Sequence, residues 1–128
     1  MIAWANQELD KIAAAEELEL TSAGRDGTLR KPVTIWVVRH GDDLYVRSFK
    51  GRTSAWFRAT RVRRQGRIRA GGVLKDVSFG DADRYLNHRI DAACRTKYRR
   101  YGARFLDPMV SPEARSATIK LVPHSTSS

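Results

Sequence analysis

The stretch Lys31-Pro32-Val33-Thr34-Ile35-Trp36-Val37-Val38, followed across His40-Gly41-Asp42-Asp43 by Leu44-Tyr45-Val46-Arg47-Ser48-Phe49, decides the fold class. β-branched and aromatic residues dominate the first run, and Pro32 stands at its start, where a missing N–H disturbs no ladder. The second run alternates, with Leu44, Val46 and Ser48 on one face and Tyr45, Arg47 and Phe49 on the other. The Gly-Asp turn between them closes a hairpin. Upstream, Glu16-Glu17-Leu18-Glu19-Leu20-Thr21 also has a period of two and leads through the turn residues Gly24-Arg25-Asp26-Gly27 into the same hairpin, so three strands run as a meander. Before them, Asn6 is placed to cap a short helix with Leu9, Ile12 and Ala13 inward.

Downstream, Lys50-Gly51-Arg52-Thr53 breaks the strand, and Ser54-Ala55-Trp56-Phe57-Arg58-Ala59-Thr60 reads as a short helix capped by Thr53 or Ser54. Gly66–Ala70 and Val73–Phe79 form a second hairpin about Gly71-Gly72. From Asp81 to Tyr101 the stripe Leu86, Ile90, Ala93/Cys94, Tyr98 and Tyr101 has helical spacing, with Gly102 as the stop. A loop with Pro108 and Pro112 then reaches a last strand, Ala117–Val122, which needs an open sheet edge. The expectation is a mainly β (α+β) chain: a six-stranded antiparallel split β-barrel over residues 1–124, with a frayed tail over 125–128. A short N-terminal helix, a short helix after the third strand and a long helix before the last strand complete it. Barrel closure is the common way for such a chain to remove its sheet edges.

The chain has 128 residues with 24 Lys+Arg against 14 Asp+Glu, a formal charge of +10. That length suits one domain, and the 41% hydrophobic content excludes a disordered polycation. No apolar run approaches the roughly 18 residues of a membrane span. The first residues lack the pattern of a secretory signal, and the lone Cys94 cannot form an internal disulfide, so a cytoplasmic setting is expected. The charge is unevenly spread. Residues 1–29 carry two bases against six acids, whereas Arg47, Lys50, Arg52, Arg58, Arg61, Arg63, Arg64, Arg67 and Arg69 follow one another with no acid between.

Motifs for nucleotide loops, zinc proteases and serine nucleophiles (GxGxxG at a strand-to-helix turn, the P-loop, HExxH, GxSxG) are absent. His40, His88 and His124 are read as three solvated histidines, so no metal site is expected, and Cys94 falls on the apolar stripe as a buried thiol. The segment Arg47–Arg58 reads differently. A strand end with Arg47 and Ser48, a Gly-containing break at Lys50, Gly51 and Arg52, and a helix N-terminus at Thr53-Ser54 converge cations, hydroxyls and free N–H groups, as an anion site requires. Trp56 and Phe57 set flat surfaces beside that charge, which suits an aromatic ligand bearing a phosphate. The opposing reading makes Arg47, Arg52 and Arg58 a solvated basic rim and Trp56 core.

Asp26–Val38, Leu44–Ser48, Gly51-Arg52 before Trp56-Phe57-Arg58, Ile90–Tyr98 and Thr118–Pro123 together resemble a small bacterial family known only as a domain of unknown function. More distantly the pattern is similar to the flavin-binding split barrels: pyridoxamine-phosphate oxidase-like proteins and deazaflavin-dependent nitroreductases. The resemblance implies a homodimer that binds FMN or an F420-like deazaflavin in a groove at the subunit interface. It also implies phosphate-binding positions at Arg47, Ser48, Lys50, Gly51 and Arg52, with Arg30, Lys31 and Thr34 opposite. The chain departs from the nitroreductase-like pattern in having only Arg52-Thr53-Ser54-Ala55 before Trp56. Trp36, Trp56 and Tyr98 are candidates to pack against a ring.

Three functions follow from these readings. The first is a small-molecule, cofactor-binding split barrel, which includes a small oxidoreductase in which the cofactor carries the redox chemistry. The second is a nonspecific nucleic-acid-binding module using Arg61–Arg69 and Arg95, Arg99 and Arg100, with affinity falling steeply in salt. The third is a cofactor-free ligand-binding or assembly protein.

Overall fold

The strand expected at Val33–Val38 is interrupted, and the interruption shapes the sheet. The computed structural model describes residues 3–124; the expected frayed tail, 125–128, lies outside the described residues. β2 (Val33–Ile35) and β3 (Val38–His40) are separate strands joined by Trp36 and Val37. The Val37 backbone is satisfied by side chains instead of a neighbouring strand: its N–H donates to the Tyr98 hydroxyl (3.1 Å), and its carbonyl accepts from Lys97 Nζ (2.7 Å). Backbone groups taken out of water need such partners, so Tyr98 and Lys97 make the break affordable. The Tyr98 hydroxyl in turn donates to the Glu16 carbonyl (2.7 Å), tying the segment before the first strand to the same point.

The sheet therefore has seven strands, where six were expected. With β1 (Leu18–Ser22), β4 (Asp43–Arg47), β5 (Gln65–Ala70), β6 (Val73–Asp81) and β7 (Thr118–Pro123), the order is β2-β1-β5-β6-β7-β4-β3. Every paired neighbour is antiparallel. Its first and last members are successive segments of one run, so the sheet curls round on itself in a split-barrel-like form. The final strand does not sit on an open edge. β7 lies between β6 and β4, with Leu121 opposite both Phe79 and Leu44.

The helices also depart from expectation in detail. α1 (Asn6–Ala14) is present, but Asn6 is its first residue rather than its cap; the Ala5 N–H is taken instead by Glu8 Oε1 at 2.8 Å. α2 (Ala55–Arg63) follows a single 3-10 turn at Gly51–Thr53, and Ser54 Oγ caps it by accepting from the Phe57 N–H at 3.4 Å. The expected long helix is cut at both ends, leaving α3 (Asn87–Lys97). Asp81 belongs to β6 because it pairs with Ile119 of β7, a contact that local helical periodicity cannot anticipate. The proline loop is largely helical: α4 (Ala103–Met109) is followed by α5 (Pro112–Ser116), which has Pro at its first position and Ser111 Oγ accepting from the Ala114 N–H at 3.2 Å.

Two apolar clusters result. Leu9 and Ile12 of α1 close one end of the curled sheet and pack with Leu18, Leu44, Val46, Ile68, Phe79 and Leu121 inside it. Each fully buried aliphatic side chain here stabilises the fold by roughly 1.5–3 kcal/mol. Trp4 joins them and donates from Nε1 to the Leu121 carbonyl at 3.1 Å. The second cluster lies on the other face, where Ile90, Cys94 and Tyr98 of α3 pack on Val38 and Tyr45. The alternation along β4 thus sends Leu44 and Val46 inward and Tyr45 toward α3. Among the described residues no helix is long and apolar enough to cross a membrane.

Candidate functional site

β4 alternation puts Arg47 on the same face as Tyr45, turned toward α3, and Arg47 is only 3% exposed. Its guanidinium is committed internally. NH1 donates to Asp91 Oδ1 (2.5 Å) and the Met109 carbonyl (2.9 Å), Nε to Thr118 Oγ1 (2.9 Å), and NH2 to the Asn87 carbonyl (3.2 Å). Four of the five N–H groups of an arginine are therefore used. Asp91 is shared: Arg115 donates to its Oδ2 from Nε (2.9 Å) and NH2 (2.5 Å). Burial pushes the Asp91 carboxyl up, but Arg115 and Arg47 outweigh it and hold the group below the usual carboxylate value. Arg47 is thus a clamp joining β4, α3, α4 and β7, and this commitment corrects the expectation of a head group free for phosphate.

The other expected anion-site residues divide. Ser48 is buried, its Oγ 2.7 Å from Ser54 Oγ and its N–H bonded to the Ala117 carbonyl. Gly51 is buried with φ +76°, and a Cβ there would lie 3.2 Å from Glu113 Cβ and 3.3 Å from its carbonyl oxygen, so the loop backbone is packed against α5. Lys50 is exposed, with Nζ 5.8 Å from the Phe49 ring centroid. Arg30 and Lys31 are also exposed. Arg52 turns away from β2: its NH1 donates to the Ser116 carbonyl at 3.1 Å, and the guanidinium lies 5.4 Å from the Phe57 ring centroid.

Thr34 and Trp56, by contrast, are brought together. They line a cavity of about 530 Å³ with Trp36, Phe49, Arg104 and Phe105, and Arg47 borders it. Clefts of roughly 300–1,000 Å³, mainly apolar with a few polar groups, are the usual form of small-molecule sites. Arg104 and Phe105 were missed because residues 102–111 read as a loop about Pro108. The cavity is backed by an aromatic stack: Trp36 lies parallel to Tyr98 at 3.9 Å between centroids, Tyr101 is 5.1 Å from Trp36, and Phe105 is 6.4 Å from Tyr101. Tyr98 is therefore behind the cavity wall, and Trp36 is the ring of that stacked pair that lines the cavity.

Titratable groups around the stack are tuned by burial. Desolvation lowers Lys97 to about 8, and its Nζ still reaches the Val37 carbonyl. Desolvation raises Cys94 to about 11, which keeps its thiol protonated and unreactive near neutral pH. The histidines do not converge. His124 Nε2 lies 2.6 Å from Ser78 Oγ, His40 ends β3 and His88 is exposed on α3. Among the described residues no group of three or more His, Cys, Asp or Glu is arranged to hold a metal ion.

A curled antiparallel sheet with an aromatic-lined cavity between β2, α2 and α4 defines a split-barrel-like protein. Residues 8–121 match the family described as an uncharacterized protein conserved in bacteria, DUF2255, and the chain belongs to that family. No curated protein matches it in sequence. Solved structures share the fold at low identity. An F420 reductase is 12% identical (TM-score 0.57), with 91% of this chain and 92% of that chain covered. The heme storage protein of Vibrio cholerae is 13% identical (TM-score 0.60; 98% and 92% covered). An FAD-binding protein of Mesorhizobium loti is 14% identical (TM-score 0.52; 96% and 92% covered).

Proposed function

We propose that the chain binds a flavin-type cofactor, FMN or a deazaflavin, in the cavity between β2, α2 and α4. The observation that carries this reading is the lining itself. Trp36, Trp56, Phe49 and Phe105 present aromatic surface around a space of about 530 Å³ that Thr34 and Arg104 also line. A planar ring system with an anionic tail needs those two kinds of group in one place. The similar folds titled F420 reductase and FAD-binding protein support the same reading.

Trp36 and Trp56 would pack the ring, while Arg104 and Thr34 would bond its phosphate. Lys31, two residues before Val33, and Lys50, next to Phe49, supply long-range attraction from the surface. When bound, such a cofactor supplies hydride transfer, and the chain's own contribution is orientation and exclusion of water. Phe49 and Phe105 are 53% and 54% exposed beside the cavity, and we place a second copy of the chain over them, giving a homodimer whose interface completes the site.

Purified protein titrated with FMN, and separately with a deazaflavin, tests this. The expected result is a melting-temperature rise and quenching of Trp fluorescence, both reduced at least tenfold in affinity by Trp56→Ala and by Arg104→Gln. No shift at millimolar concentration of either cofactor overturns it.

A further inference from the structure

Across the Arg47–Asp91–Arg115 clamp from the aromatic cavity lies a second hollow of about 580 Å³, and its chemistry is different. Arg52, Arg61, Arg64, Arg84 and Arg115 line it, with Asp81 as its one carboxylate. These residues come from the 3-10 turn at 51–53, the C-terminal end of α2 and the residue after it, the end of β6, the 3-10 turn at 84–86 and α5, so it is the fold that gathers them.

The charge there is not balanced from within. Asp81 is divided between Arg61 NH1 (2.7 Å) and Arg64 NH1 (3.6 Å). Asp91 is likewise divided between Arg115 and Arg47. Counting the five lining arginines and Arg47 against Asp81 and Asp91 leaves four positive charges without a counter-charge. The Arg84 guanidinium has no ion pair or hydrogen bond among the described residues, and Arg61 Nε is buried with no partner. Asn87, the first residue of α3, also lines the hollow, and that first turn contains no acidic side chain, so the positive end of the helix dipole adds to the field.

We propose that this hollow binds two adjacent phosphate groups of a small molecule. One phosphate monoester brings about −1.5 to −2 charges at neutral pH, so two adjacent phosphate groups supply roughly −3 to −4, against the four uncompensated positive charges. Guanidiniums fork onto phosphate oxygens in bidentate fashion, which explains arginine rather than lysine at every cationic lining position. The arginines converge on a concavity of small-ligand size instead of forming a stripe, and this favours a compact polyanion over a nucleic-acid backbone. Outside the hollow, Arg67 of the β5–β6 hairpin pairs with Asp76 at 2.8 Å, and Arg63 NH1 at the end of α2 donates to the Arg25 carbonyl at 3.0 Å.

Calorimetric titration of the full chain with inorganic pyrophosphate at physiological salt tests the assignment. Saturable binding at one site per chain is expected, with orthophosphate at least tenfold weaker. Arg84→Gln and Arg64→Gln should each weaken pyrophosphate at least tenfold while circular dichroism stays unchanged, and Asp81→Asn should tighten it severalfold. Arg67→Gln should change it less than twofold, and Trp56→Ala should leave it intact, so this site stands or falls separately from the cofactor cavity. Equal binding by Arg84→Gln and the unmodified chain overturns the proposal. So does a short oligonucleotide that competes for the arginines and is weakened as much by Arg67→Gln as by Arg84→Gln.

Discussion

Arg47–Asp91 and Arg67–Asp76 are both arginine–aspartate pairs, with closest contacts of 2.5 and 2.8 Å, yet they sit in different media. The side chains of the first pair are 1% and 2% exposed, those of the second 43% and 58%. In water the attraction is screened and largely offset by the entropy of holding two long side chains still, so an exposed pair contributes about 0–1 kcal/mol. Inside, desolvation is large and each charge depends on the other, so the pair matters most when half of it is removed. Arg67 decorates a hairpin; Arg47 joins four elements and separates an aromatic cavity from an arginine-lined one.

The largest expected effect comes from leaving one buried charge alone. Asp91→Asn or Arg47→Ala should lower stability in urea denaturation by about 3–5 kcal/mol. The double variant Arg47→Met/Asp91→Leu should recover most of that loss, because apolar groups of similar size have nothing to desolvate; a double variant no better than the single ones would show that specific geometry dominates. Acid should act in the same direction. Since the Asp91 carboxyl is held below 3.8 in the folded chain, the unfolded chain binds the extra proton first. The stabilisation is present above that pH and is lost as pH falls through the lower folded value, and Asp91→Asn should flatten this limb of the curve.

Lys97 extends the comparison to a half-buried cation that has a carbonyl but no carboxylate. Its folded value of about 8 lies below the unfolded 10.5, so the folded chain binds fewer protons between them, and stability should rise with pH across that window. The full window is worth roughly 3 kcal/mol, and solvent screening of a half-buried group cuts it, so measured as the difference from Lys97→Met the rise should be on the order of 1–2 kcal/mol; a flat difference would mean that water reaches Nζ. Arg115, 41% exposed and bonded to the buried Asp91, stands between the two media. Arg115→Gln should cost about 1 kcal/mol. Arg67→Gln should change stability by no more than about 0.5 kcal/mol, and a larger loss would place the hairpin pair in the buried class.

Much of this architecture was readable locally. Alternation along 44–49 put Leu44 and Val46 on one face and Tyr45 and Arg47 on the other; that the two faces belong to two apolar clusters came from the packing. The stripe Ile90, Cys94, Tyr98 was right as a helical face. Asp91 carried an unused signal: it lies three and seven residues before Cys94 and Tyr98, so a carboxylate was presented to the packed side of the helix and required a cation. Arg104 and Phe105 offered less, because α4 is seven residues long and contains Pro108, too short and too interrupted for periodicity to show. Arg61 and Arg64 read as part of a basic run; only their opposition to Arg84 and Arg115 makes them walls of a hollow.

By itself, the sequence determined which residues alternate, which turns close hairpins and where charge accumulates, because those depend on neighbours within a few residues. Tertiary structure decided what faces what. The break at Trp36–Val37 exists because Lys97 and Tyr98, about sixty residues away, satisfy the Val37 backbone. Arg47 became a clamp rather than a phosphate ligand because Asp91, 44 positions along, meets it where water cannot. Burial sets the strength of both interactions, and burial is a property of the packed chain.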